Sequence, residues 1–176
     1  FGATPSKPAK DHPGWLALAA LVVIVLPQLP FGNYILCPFF ILTTWFHEMG
    51  HGLTAIVLGL DFSELVIFAN GSGYAMIGAP TDTWPITQAL VSAGGPLGPA
   101  IAGSLMILAS TKERSRRLAL TILGSIIILT TAIWVRSILG WAVLLPTALL
   151  ILVIAQKGNE VVSRFAVQFL GIHAAV

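Results

Sequence analysis

Long apolar runs separated by short polar clusters set the layout of this chain. Residues 14–30 form the first run, with Trp15 at its start, where an interfacial aromatic belongs, and Pro27 and Pro30 at its close. Residues 33–60 form a second run, longer than the roughly 20 residues that cross a bilayer as helix, so a tilt or an irregularity near Pro38 is expected. Further runs cover residues 84–110, 118–135 and 138–155, and another opens at residue 161. Between the second and third runs the character changes. Residues 64–68 (ELVIF) are β-prone, 70–73 (NGSG) are turn chemistry, and 74–78 (YAMIG) are a second short apolar stretch, which together predict a hairpin. Lipid does not tolerate open strand edges. The hairpin is therefore expected at the interface or in a cavity, where its edge could hold an extended peptide by strand addition.

Composition turns this pattern into a fold class. Of 176 residues, 56% are apolar and only 9% charged, against about 25% charged in a soluble domain. The mean hydropathy is +0.91. The expectation is an all-α integral membrane protein of about five transmembrane helices plus a partial sixth, with the short β-hairpin between the second and third spans. Residues 14–176 are read as a single membrane domain. Residues 1–13, with three prolines, two lysines and His12, are read as an exposed arm. No small-residue cleavage site follows the first apolar run, so it is not read as a signal peptide. The first residue is Phe1, so the natural start is expected to lie upstream.

Charge adds orientation and excludes one partner class. Net charge is +2, with no basic patch interleaved with aromatics, so nucleic-acid binding is not expected. Residues 111–117 (TKERSRR) read as a strongly positive loop. On alternating spans its side takes Lys112, Arg114, Arg116, Arg117, Lys157 and Arg164, against Lys7, Lys10 and Arg136 on the other. The excess of basic residues assigns that side to the cytoplasm and the amino terminus to the outside. The single Cys37 has no partner for an internal disulfide.

Candidate chemistry sits in the second run, at Trp45-Phe46-His47-Glu48-Met49-Gly50-His51-Gly52. On a helix His47 and His51 share a face. That spacing lets two imidazoles bind one Zn²⁺, with Glu48 beside them to take a proton from the water that the metal activates. Ionisable residues in a membrane helix mark a site or a pair. In the third run, Gly94 and Gly98 have the spacing of a close helix contact, and Pro96 and Pro99 remove backbone donors and predict a kink.

These motifs resemble the site-2 protease family of intramembrane zinc metallopeptidases, most nearly its compact bacterial branch. The likeness rests on residues 47–55 (HEMGHGLTA), 70–74 (NGSGY) and 92–98 (SAGGPLG), with weaker likeness at 133–140 and 168–172. It implies a zinc-dependent endopeptidase in a bacterial inner membrane that cuts membrane-spanning substrates within the bilayer, alone or in a membrane complex. His47 and His51 would be zinc ligands and Glu48 the catalytic base. Asn70, Gly71, Ser72 and Gly73 would contact substrate. Two departures stand out. Pro99 occupies a place where better-known members carry Asn, and the family's late Asp ligand has no counterpart, because no Asp follows Asp82.

A catalytic zinc takes three protein ligands and an open position. Glu113, expected to be paired in the basic loop, and Asp82, Glu64 and Glu160, near the membrane surfaces, are poor thirds. His173 would lie about 18 Å along a helix begun at residue 161, near the roughly 21 Å of His47 from residue 33. His173 is thus one reading of the third ligand; a ligand beyond Val176, or none, is the other. Without a third ligand the chain would be an inactive protease-fold scaffold that binds other membrane helices. A transporter using His47, Glu48 and His51 as a proton relay would leave the four-residue spacing unexplained.

Overall fold

The computed structural model describes residues 14–80 and 83–175, and the predicted arm at 1–13 lies outside them. The chain is mostly helical. Helix α1 (Gly14–Val25) passes into a 3-10 turn (Leu26–Gln28), where Pro27 ends the first run. Phe31, at a φ of 67°, turns the chain into α2 (Gly32–Val57). The hairpin follows as β1 (Asp61–Ile67) and β2 (Gly73–Gly78), then α3 (Pro85–Ala109), α4 (Glu113–Trp134), α5 (Ile138–Lys157) and α6 (Glu160–Ala175).

Helices α3, α4 and α5 are long and apolar enough to cross a membrane. Of the five expected spans, these three stand on length and composition alone. The first run is apolar but short, and α2 has 26 residues with the polar motif in its middle, which lowers its hydropathy. Leucine and isoleucine side chains along the outer faces, such as Leu97, Ile101, Leu105 and Leu129, are exposed, as side chains facing lipid would be. Helix α3 runs on as helix through Pro96 and Pro99.

The predicted loop at 111–117 is mostly helix. Glu113 stands in the first turn of α4, where the dipole favours a carboxylate, and pairs with Arg117 at 3.0 Å one turn on. Arg117 then donates to the carbonyls of Ala155 (2.8 Å), Gln156 and Gly158, capping the end of α5. Arg116 is fully buried and donates to the Ser110 carbonyl at 3.1 Å. Glu160, at the start of α6, faces both Arg116 (3.6 Å) and Arg164 (3.3 Å). Charges that read as a solvated loop are therefore the joint between α4, α5 and α6.

The hairpin is held on three sides. Its strands pair antiparallel from Asp61–Gly78 to Ile67–Gly73, with an irregularity near Ser63. In the turn, Gly71 takes a φ of 81°, and Asn70 Oδ1 accepts from the Ser72 amide (3.0 Å) and hydroxyl (2.7 Å). The inner edge of β1 is occupied: Arg136 N donates to Leu65 O (2.9 Å), Trp134 Nε1 to Phe62 O (2.9 Å), and Ser137 Oγ accepts from Ile67 N (3.1 Å). Non-helical backbone among membrane helices survives only where protein satisfies it, and these contacts do so.

Candidate metal centre

Helix α2 carries the motif, and its 3.6-residue turn brings His47 and His51 together. The rings stand edge to face, 4.7 Å between centroids at 81°, and their Nε2 atoms are 3.1 Å apart. The other nitrogen of His51, Nδ1, lies 2.7 Å from the Val91 carbonyl on α3. A carbonyl only accepts, so in that contact Nδ1 holds the proton and Nε2 presents a lone pair toward His47. Two nitrogens on one tetrahedral Zn²⁺, each at about 2.0–2.1 Å, would be separated by roughly 3.3 Å. The pair fits two positions of such a site.

Helix α3 makes room for them. A Cβ on Gly95 would fall 2.2 Å from His51 Nε2 and 2.8 Å from His47 Nε2, so glycine leaves open the space that both nitrogens face. A Cβ on Gly50 would strike the Gly94 carbonyl at 2.2 Å, one on Gly94 would strike Thr54 Oγ1 at 2.3 Å, and one on Gly98 would reach Gly50 Cα at 3.0 Å. The expected close contact at Gly94 and Gly98 is therefore present, backbone against backbone.

The hairpin closes the other side. Glu48 is buried at 8% exposure. A Cβ on Gly73 would meet Thr44 Cγ2 at 2.8 Å and Glu48 Cγ at 3.3 Å, so Gly73 lets the hairpin lie directly on the motif helix. Thr44 Oγ1 donates to the Gly71 carbonyl. Asn70 and Gly71 line a cavity of about 550 Å³ together with Tyr34, Cys37, Phe40 and Thr44. The predicted substrate-contact turn thus lies one helical turn from Glu48.

The family model described as Peptidase M50B-like matches residues 15–176. The chain belongs to that family. It is the site-2 protease family, whose members are zinc-dependent membrane peptidases. No curated protein and no solved structure matches the chain. Within this site-2 protease fold, the segments at 47–55, 70–74 and 92–98, dispersed in sequence, meet at one place: the imidazole pair, the turn beside Glu48 and the glycines of α3.

His173 does not join them. Its ring stacks on Phe169 (5.8 Å, 7°), meets Phe39 edge-on (5.8 Å) and lies against Phe40 (5.6 Å). Its Nε2 is buried with no hydrogen-bond partner, and Thr43 Oγ1 donates to its carbonyl at 3.3 Å. Along α2 this is the level of Phe39 to Thr43, a full turn or more short of His47. Among the described residues no three His, Cys, Asp or Glu side chains gather where a metal could be held. Glu64 faces the Tyr74 hydroxyl (3.4 Å), and Glu113 and Glu160 are in the arginine joint. Asp82 lies outside the described residues. Three participants escaped the sequence reading: Gly95, Thr44 and the Val91 carbonyl. The first had a signal in the doubled glycine at 94–95, whereas a backbone acceptor leaves none.

Proposed function

We propose that this chain is a zinc-dependent intramembrane endopeptidase in which His47 and His51 hold the metal and Glu48 handles the proton. The observation that carries this reading is the 3.1 Å Nε2 pair, with His51 oriented through Nδ1 by the Val91 carbonyl and with Gly95 leaving the space beside both nitrogens open. Zinc would supply a Lewis acid that polarises a peptide carbonyl and acidifies water at neutral pH. Glu48, buried beside the imidazole pair, would be the group that takes up a proton from the attacking water and gives it to the leaving amine. The turn at 70–73 positions substrate. An extended segment that adds to the free edge of β2 runs beside Gly73 and so beside Glu48. The cavity bounded by Tyr34, Cys37, Thr44 and Asn70 supplies water to a centre otherwise closed by helices. Helices α1 and α2 complete five spans of one membrane domain, in a bacterial inner membrane, acting on membrane-spanning substrates or within a membrane complex.

Glu48→Gln tests the mechanism. The variant should retain zinc at the wild-type ratio while cleavage of a co-expressed single-span substrate falls by at least about 10²-fold, the lower range for losing a general base. Cleavage at the wild-type rate would overturn the assignment. A second reading, a scaffold that binds other membrane helices, is favoured by one observation: His173 is turned away, and no third donor stands with the pair among the described residues. Wild-type protein that neither contains zinc nor takes it up would decide for the scaffold.

A further inference from the structure

Helices α3 and α4 are consecutive, yet they barely touch. Between them runs an open apolar groove of about 520 Å³, floored by Phe46, Met49 and Gly50 of α2. Its α3 wall extends from Gly98 to Ala109 and its α4 wall from Ser115 to Ile126. Either wall covers twelve residues of helix, about 16 Å from first to last. Its lining is mostly large and apolar, with Ala102 on one wall and Ala119 on the other, and none of its lining residues is ionised. The groove ends at the turn between the two helices. There Lys112 and Arg114 are exposed, one turn before the lining residues Ser115 and Leu118, on the same stretch of the α4 surface. Glu113, the carboxylate between them, is already held by Arg117, and neither Lys112 nor Arg114 forms an ion pair among the described residues.

We infer that this groove is a binding site for an anionic phospholipid, with an acyl chain between α3 and α4 and the phosphate group at Lys112 and Arg114. Charge selects this occupant. Two cations that form no ion pair among the described residues stand at one end of a slot that is apolar but for Ser115, the arrangement that recognises lipid headgroups between membrane helices. The floor of the groove is the reverse face of the motif helix, so a bound chain would bear on Phe46 and Met49, the neighbours of His47 and Glu48.

The test is native mass spectrometry of the full chain, released from nanodiscs of equal parts phosphatidylglycerol and phosphatidylcholine. Wild type should retain phosphatidylglycerol at least tenfold over phosphatidylcholine. Lys112→Gln combined with Arg114→Gln should abolish the preference and leave a weak, headgroup-blind adduct. Ala119→Phe should remove the adduct altogether, with Ala102→Phe as the alternative should that variant not fold. Equal retention of the two lipids by wild type overturns the inference. So does a preference unchanged in the double variant, or a second copy or a foreign helix seated in the groove.

Discussion

Two histidine environments lie about a turn apart on α2, and they treat the same side chain in opposite ways. At His47 and His51 the ring nitrogens face each other, one Nδ1 is fixed by a carbonyl, and the opposing helix has no side chain at Gly95. Around His173, three phenylalanines take the ring as if it were one of them, and its Nε2 has no partner. Residue type does not distinguish the two. The polar pair exists because α3 meets α2 through glycine, which brings a backbone carbonyl within reach of an imidazole. The aromatic cage exists because α6 meets α2 through large rings.

The contrast should break most severely at Gly95. Gly95→Leu places a branched chain where a Cβ alone already overlaps both nitrogens. It should cost about 3 kcal/mol or more in reversible unfolding and remove bound zinc. Wild-type zinc content and unfolding midpoint in that variant would refute the packing described. His51→Ala should be milder for the fold. It removes the side-chain donor to the Val91 carbonyl, at about 1 kcal/mol, while zinc measured by elemental analysis falls at least tenfold. Retention of zinc there would show that the pair is not the ligand set. His173→Phe should have the smallest effect. It removes the unpartnered buried Nε2 and, against that, the ring's hydrogen bond to the Phe39 backbone, so stability should change by less than about 1 kcal/mol, with zinc unchanged. A loss of zinc in this variant would restore His173 as the third ligand.

Much of this was legible along the chain. Apolar runs bounded by proline, glycine and charge located the helices to within a few residues, because lipid demands both length and internally satisfied backbone. The turn at 70–73 was readable because asparagine and glycine there have a local task, which Asn70 performs through its contacts with Ser72. The four-residue spacing of His47 and His51 survived intact, since helix geometry alone enforces it. What was lost is the meeting of α6 with α2. Equal depths along two helices put His173 level with His47, whereas it stands a turn short, beside Phe39 to Thr43, with its ring among Phe39, Phe40 and Phe169. The arginines at 114–117 read as loop because composition carries no record of Glu160 or of the α5 carbonyls, which come from the far end of the chain.

The inner edge of β1 has a further consequence, for stoichiometry. Trp134, Arg136 and Ser137 have already used its exposed backbone groups, so the sheet has one edge left to share, that of β2. A ribbon with two open edges can add copies without limit. A ribbon with one can join a single further strand, and if two copies meet edge to edge the assembly stops at two.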